Sequence, residues 1–589
     1  MSNFAFLRTE WPGLYAEAVK AEANVLADPR SSCFYARRTL ELLVAWLFQA
    51  DRSLKLPYKS DLSAFLFEPS FKILTGPMLH TKMEVIRKRG NDAVHSARQV
   101  REQDAQAVLS ELFHVAYWLG RHYARSAAGK PDGALRFNAA LLPKPPGAVA
   151  TQSQTQLQTL ESELAQRDAA LAQAQKKNAA LDQELVSLRA DVAAAKAANA
   201  VQPDTHDYNE AQTRDLFIDQ LLHEAGWPLD AARDREYEVA GMPNTQNKGF
   251  VDYVLWADDG KPMALIEAKR TQRDARAGQQ QAKLYADCLE SMYGQRPLIY
   301  FTNGYEHWLW DDTLYPPRLI QGFHKKAELE LLIQRRISRK ALGQATIDPL
   351  IVERHYQQRA IRRIGETFEQ DRQRKALVVM ATGAGKTRTV IALSDLLMRC
   401  NWAKRILFLA DRVALVNQAA NAFKSFLPSA APVNLVTEKN TEGRIYVSTY
   451  PTMMGLIDEK QEGQRRFGVG HFDLIIIDEA HRSVYQKYRA IFSYFDALLV
   501  GLTATPKDEI DRNTYSLFNL ESGVPTDAYT LEDAIAEGYL VKPRGVSVPL
   551  KFQREGIHYD IFPKMRKISG TNWSGEKRKK HRTRLAPMR

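Results

Sequence analysis

The sequence predicts a multidomain protein with four parts: an α-helical N-terminal domain, a coiled coil, a small α/β domain, and a doubly wound α/β lobe built on a parallel sheet. Three observations predict it. Apolar residues return every three or four positions through the first 135 residues, the spacing then becomes strictly heptad from Leu157, and beyond Pro203 strand-like apolar runs alternate with helix-like sequence. At 589 residues the chain is too long for one hydrophobic core.

Residues 1–135 read as helical because Ala36-Arg-Arg-Thr-Leu-Glu-Leu-Leu-Val-Ala-Trp-Leu-Phe48 and Val108-Leu-Ser-Glu-Leu-Phe-His-Val-Ala-Tyr-Trp-Leu119 each present one apolar stripe. Pro143-Lys-Pro-Pro-Gly147 breaks that periodicity, so residues 136–200 are a linker followed by the coiled coil. Leu157, Leu160, Leu164, Arg167, Leu171, Ala174, Asn178, Leu181, Leu185, Leu188, Val192 and Ala195 keep heptad register. Asn178 stands where a buried amide can fix strand number. Small residues such as Ala174 weaken the seam, which leaves two readings open: self-association, or a spacer helix packed on its own chain.

Residues 201–335 are a mixed domain: a helix over Arg214–Gly226, strands over Gly249–Trp256 and Pro262–Ala268, a helix over Ala275–Cys288 and a strand over Pro297–Phe301. Residues 345–545 hold strands at Ala376–Met380, Arg405–Ala410, Ile445–Ser448, Leu474–Ile477 and Leu498–Leu502, each followed by helix-like sequence. That order predicts a parallel sheet with ligands at the carboxyl ends of its strands. Residues 546–589 form a basic tail with the run Lys577-Arg-Lys-Lys-His-Arg-Thr-Arg584.

Composition narrows the function classes. No apolar run approaches the ~20 residues that span a bilayer, and the N-terminus lacks the basic, apolar and small-residue regions of a secretion signal, so a cytoplasmic location without membrane contact is expected. Cys33, Cys288 and Cys400 are too scattered for a disulfide framework or a metal knuckle and are expected to fill cores. A formal charge of +12 favours a polyanionic partner.

Two constellations carry chemistry. Thr382-Gly-Ala-Gly-Lys-Thr387 lies directly between an apolar strand and a helix, the setting in which backbone N–H groups and a helix N-terminus receive phosphate oxygens. Thr382, Gly383, Ala384 and Gly385 form the cradle, Lys386 is expected on the β- and γ-phosphates, and Thr387 on Mg²⁺. About 90 residues later Leu474-Ile-Ile-Ile477 ends in Asp478 and Glu479, one acid for the metal and one to activate the attacking water. The cofactors expected are ATP and Mg²⁺.

The second constellation is Asp252, then Glu267-Ala-Lys269. Two carboxylates at the ends of adjacent strands can share a divalent metal, and Lys269 faces the same side because strand side chains alternate. Gln281 and Tyr285 follow on one helix face at i and i+4. Metal-assisted phosphodiester hydrolysis requires such a set. Glu224 on the preceding helix is either an outer acid or part of a solvated helix face.

Residues 350–510 resemble superfamily 2 helicases and translocases: Asp478-Glu-Ala-His481 looks like their DEAH box, Tyr356-Gln357 like the adenine-reading segment, Leu407–Gln418 like a DNA-contacting motif and Thr503-Ala-Thr505 like the coupling motif. The resemblance implies a RecA-like lobe, tracking along nucleic acid driven by ATP, and recognition of the base by Gln357. Asp252, Glu267, Lys269, Gln281 and Tyr285 resemble the PD-(D/E)xK nuclease core of RecB-like nucleases. That implies a restriction-endonuclease-like fold in which Asp252 and Glu267 ligate Mg²⁺, Lys269 assists the water, and Gln281 and Tyr285 position the DNA strand. A nuclease followed by a DEAH motor and then Thr530–Pro543 resembles the restriction subunit of type I restriction-modification enzymes. This implies double-stranded DNA and the modification and specificity subunits as partners, and cleavage of foreign DNA away from the recognition site.

Arg89 and His95 are spaced as in HEPN-like domains, some of which cleave RNA, although Gly90 replaces the usual polar residue and favours a structural relic. A motor of this type closes its ATP site with a second lobe, for which the residues after Pro543 have no matching motif; the expectation is a truncated subunit that binds ATP without efficient turnover by this chain alone. Two other function classes stand beside the leading one: a stand-alone defence or repair helicase-nuclease, separable by whether cleavage needs the other subunits, and a non-enzymatic assembly fragment.

Overall fold

The computed structural model describes residues 2–57, 61–96, 99–143, 152–175, 179–200, 210–268, 278–304, 306–438, 441–461, 464–480, 484–505 and 512–542. The chain divides into two compact units, Met1–Thr530 and Leu531–Arg589. Among the described residues no helix is long and apolar enough to cross a membrane.

The first 123 residues fold into helices α1 (Pro12–Asn24), α2 (Pro29–Ala50), α3 (Leu62–Phe67), α4 (Pro69–His95) and α5 (Glu102–Tyr123). Their apolar stripes meet in one core that includes Leu40, Val44, Leu47, Met83, Leu112 and Tyr123. At the start of α2, Pro29 supplies a preset φ and the Asp28 carboxylate accepts from the Ser31 N–H at 3.2 Å, a cap worth about 1 kcal/mol. Helix α4 kinks at Gly76 (φ 68°), just before Pro77, because proline bars helical geometry from the residue before it and glycine alone tolerates this left-handed turn.

The heptad segment forms α6 (Gln154–Gln175) and α7 (Ala179–Ala200); Asn178 lies outside the described residues. Leu157, Leu160 and Leu164 pack on Phe34, Tyr35 and Val94, and Leu188 and Val192 join the N-terminal core. Arg37–Glu161 (2.7 Å), Arg38–Asp168 (2.7 Å) and Lys196–Asp51 (2.6 Å) flank these contacts. Of the two readings left open by the sequence, the described positions follow the second: the stripe is buried on its own chain.

After α8 (Glu210–Glu224), the mixed domain builds a six-stranded sheet in simple order from β1 (Arg235–Ala240), β2 (Lys248–Trp256), β3 (Pro262–Ala268), β4 (Leu298–Thr302), β5 (His307–Trp310) and β6 (Arg318–Ile320). Neighbours are antiparallel except β3 and β4, which the crossover helix α9 (Gln279–Tyr293) makes parallel. One face packs Leu265, Ile299 and Phe301 under α9's Ala282 and Leu289, and the other packs Ile266 and Tyr300 with Ile218 and Leu222 of α8 and Leu329 of α10 (Lys326–Ser338). Covered on both faces, β3 and β4 read as near-continuous apolar runs.

The lobe that follows has a seven-stranded, all-parallel sheet. In sequence it runs α11 (His355–Glu369), β7 (Lys375–Met380), α12 (Lys386–Arg399), β8 (Ile406–Ala410), α13 (Val413–Phe426), β9 (Pro432–Asn434) and β10 (Ile445–Thr449). It continues through α14 (Tyr450–Ile457), a hairpin of β11 (Lys460–Gln461) and β12 (Gln464–Arg465), β13 (Leu474–Ile477), α15 (Val484–Tyr494), β14 (Leu498–Thr503), α16 (Arg512–Leu517) and β15 (Asp527–Tyr529). The spatial order is β15-β7-β14-β13-β8-β10-β9, so β14 separates the two strands that carry the predicted phosphate loop and acids. In the second unit the described part is α17 (Leu531–Ala536) and its end, where the Tyr539 N–H donates to the Ala534 carbonyl at 2.9 Å. The basic tail, residues 546–589, lies outside the described residues.

Two buried ionic junctions join these parts. At the first, Glu224 of α8 meets Lys88 of α4 (2.6 Å) and, from the hairpin, Lys460 (2.9 Å) and Arg465 (3.1 Å). Asp458 takes Arg465 (2.6 Å) and Arg87 (3.4 Å), Glu84 takes Arg87 (2.8 Å), and Asp92 takes Lys460 (2.8 Å). At the second, Asp496 holds Arg318 (2.6 Å), Arg374 (2.9 Å) and His324 (3.3 Å). Glu224 is therefore no solvated helix face: it is buried against three cations, on the sheet face opposite α9.

Candidate functional sites

Strand β7 delivers the glycine-rich loop to the carboxyl edge of the parallel sheet, and α12 begins at Lys386, the residue after it. Gly383 (φ 87°) and Gly385 (φ 94°) occupy the left-handed region, which only glycine enters at little cost, so the loop can turn its backbone inside five residues. The Gln357 amide donates to the Ala384 carbonyl at 3.2 Å and to the Gly385 carbonyl at 3.4 Å, and the Tyr356 hydroxyl donates to the Ala384 carbonyl at 2.9 Å. Gln357, expected from the sequence to read a base, thus braces the loop from behind in this structure and is 4% exposed. Thr382 and Gly383 are exposed at the loop's outer rim, while Thr387 is half-buried on the first turn of α12.

Strand β13 brings the acids to the same edge. Lys386 Nζ lies 3.5 Å from Glu479 Oε1 across 93 positions of sequence. Glu479 itself has φ 56°, a strained setting for a residue with a side chain, of the kind that concentrates at functional sites. The turn it makes lets the Ala480 N–H reach the Leu502 carbonyl at 2.8 Å. Burial, followed by the neighbouring Glu479 charge, pushes the Asp478 carboxyl above its ordinary value while Lys386 opposes the shift. A cation arriving here would be met by a carboxyl that gains from neutralisation. His481 lies outside the described residues.

The second site sits on the α9 face of the mixed sheet. The β2–β3 register pairs Tyr253 with Ile266, and one step further it sets Asp252 opposite Glu267. The Asp252 carboxylate accepts from the Ala268 N–H at 2.6 Å, which ties it to β3. Glu267 is two residues beyond Leu265, which packs under α9, so alternation turns it to that side. On α9 the Gln281 amide donates to the Tyr285 hydroxyl at 2.6 Å, and the Tyr285 ring covers Gly249 of β2, where a Cβ would stand 2.6 Å from it. Asp252 and Glu267 thus oppose one another on adjacent strands, on the sheet face that α9 covers, and Gln281 and Tyr285 stand on α9 itself; Lys269 falls in residues 269–277, outside the described set. Among the described residues no group of three or more His, Cys, Asp or Glu side chains is placed to hold a metal. A pair of carboxylates nonetheless suits Mg²⁺, which binds through one or two carboxylates and completes its octahedron with water and phosphate oxygens.

On α4, His95 is more than half exposed and lies 3.6 Å from Glu161 of α6, while Arg87 and Lys88, two turns earlier on the same helix, belong to the first ionic junction. Cys33, Cys288 and Cys400 are free and buried. Sequence reasoning did not single out Tyr529, whose ring stacks on Tyr356 at a centroid distance of 3.8 Å and 8° between planes. A three-residue strand has no period from which to read it.

Two family models match the chain: the res subunit of type III restriction enzymes over residues 350–508, and the second domain of the EcoKI type I restriction enzyme endonuclease subunit over residues 219–313. Among curated relatives, the EcoKI endonuclease subunit of Escherichia coli strain K12 is 27% identical over 62% of this chain and 38% of its own length. The EcoAI endonuclease subunit of Escherichia coli is 32% identical over 52% of this chain and 38% of its own length. The matched region thus spans well under half of either relative. A solved fragment of an HsdR subunit of a type I restriction enzyme from Vibrio vulnificus YJ016 is 29% identical, covers 56% of this chain and 61% of its own, and superposes with a TM-score of 0.25.

Proposed function

We propose that this chain, a relative of the endonuclease subunits of type I restriction enzymes, couples an ATP-driven DNA motor to a metal-dependent DNA nuclease within such a system. The observation that carries the reading is the pairing of Asp252 with Glu267 on adjacent strands, on the sheet face covered by the helix that bears Gln281 and Tyr285, in the same compact unit as the Lys386–Glu479 contact.

On this reading residues 345–545 are a RecA-like lobe. Lys386 would leave Glu479 for the β- and γ-phosphate oxygens, the loop N–H groups would receive the remaining oxygens, and Thr387 and Asp478 would hold Mg²⁺. Glu479, released from its lysine, orients the attacking water and accepts its proton. Residues 201–335 are a restriction-endonuclease-like PD-(D/E)xK core. Asp252 and Glu267 would hold a second Mg²⁺, which when bound polarises the scissile phosphate. Lys269 orients the water, and Gln281 and Tyr285 position the strand. Double-stranded DNA is the substrate, and the modification and specificity subunits supply recognition.

The test is plasmid cleavage in the complex reconstituted with modification and specificity subunits, with ATP and Mg²⁺. Glu267→Ala is expected to lower cleavage by about 10²-fold or more, the scale of several kcal/mol of lost charge stabilisation, while leaving ATP hydrolysis in place. Lys386→Ala is expected to remove both. Undiminished cleavage by Glu267→Ala would sink the nuclease assignment.

A further inference from the structure

The edge strand β15 lies against the phosphate loop in a way that the motor motifs do not account for. Its Tyr529 carbonyl accepts from the Ala381 N–H at 3.0 Å, immediately before the loop begins. Its ring lies flat on Tyr356, and both rings are essentially fully buried. The Tyr356 hydroxyl, itself accepting from Arg354 at 2.9 Å, donates to the Ala384 carbonyl in the middle of the loop. Arg359 of α11 locks the two elements together, reaching Asp527 at 3.0 Å and the Ala528 carbonyl at 2.8 Å.

These contacts fix one peptide plane. In a trans peptide the C=O and the following N–H point in opposite directions. A carbonyl of Ala384 held inward by Tyr356 and Gln357 therefore turns the Gly385 N–H outward, to the side where phosphate oxygens arrive. Tyr356 can hold that carbonyl only while its own ring is fixed, and the face of Tyr529 covers that ring, beside the Arg354 bond to its hydroxyl and the edge of His355. We infer that Tyr529 is a positioning residue of the nucleotide site, acting through the Tyr356 ring to aim the Gly385 N–H at the phosphates of a nucleoside triphosphate. The inference rests on the ATP-binding reading above.

The experiment is calorimetric titration of the full chain with Mg·ATP, with thermal melts alongside. Wild type is expected to bind and Lys386→Ala to fail. Tyr529→Leu, which keeps an apolar side chain but loses the stack, is expected to bind about tenfold more weakly while still melting cooperatively above the titration temperature, and Tyr529→Phe to recover wild-type affinity. Tyr356→Phe, which keeps both rings and loses one hydroxyl, is expected to weaken binding about threefold or more. Wild-type affinity in Tyr529→Leu, or equal losses in the Leu and Phe variants, overturns the inference and leaves the ATP reading standing. Failure of wild type to bind Mg·ATP overturns both. If Tyr529→Leu does not fold, Tyr356→Phe decides: weakened binding with a native melt supports the inference and unchanged binding overturns it.

Discussion

Replacing Glu224 by glutamine changes almost no volume and removes one charge from the first ionic junction. That junction contains four acids, Glu84, Asp92, Glu224 and Asp458, and four bases, Arg87, Lys88, Lys460 and Arg465, so its net charge moves from 0 to +1. Glu224 is 3% exposed and serves three of the bases at 2.6–3.1 Å, so its loss leaves buried Lys88 without its carboxylate and Lys460 and Arg465 with one carboxylate each, Asp92 and Asp458. Removing one partner of a buried ion pair costs about 3–5 kcal/mol, and Glu224→Gln is expected in that range. Burial pushes the Glu224 carboxyl up, but Lys460, Lys88 and Arg465 override it and hold it well below its ordinary value of 4.5. A carboxyl depressed on folding stabilises the fold fully above pH 4.5 and loses that contribution as pH falls toward its folded value. The gap between wild type and variant should therefore be widest near neutrality and close in acid. The assay is urea denaturation of the full chain at several pH values, with Glu224→Gln/Lys460→Met as the charge-restoring control. A variant as stable as wild type at pH 7, or a double variant that recovers nothing, would refute the reasoning.

Further outcomes follow from the same contacts. Asp496→Asn leaves Arg318 and Arg374 facing one another without their carboxylate and is expected to cost about 3 kcal/mol, read as an earlier thermal transition. Leu157→Ala is expected to cost about 2–4 kcal/mol by opening a cavity against Phe34 and Val94, seen as faster amide exchange along α6; unchanged exchange would return the heptad stripe to its self-association reading.

What the sequence determined by itself was whatever depends on short-range pattern. Strands β3, β7, β13 and β14 were placed to within a residue because strands covered on both faces read as unbroken apolar runs. The phosphate loop was legible because its glycines must sit next to the helix they cap, and Gln281 and Tyr285 because i and i+4 meet on any helix. Short edge strands such as β9, β15 and the β11–β12 hairpin were missed, since two or three residues show no period and an edge has only one covered side. The destinations of polar side chains belonged to the tertiary structure. Glu224 looks like any acid on an amphipathic helix until α4 and the hairpin close on it, and the leucine stripe of α6 fits a second helix as well as it fits Phe34 and Val94. Tyr529 carries no local signal at all. A charge or a flat apolar ring is satisfied by whatever approaches it, and what approaches here comes from residues tens to hundreds of positions away, which only the tertiary fold brings together.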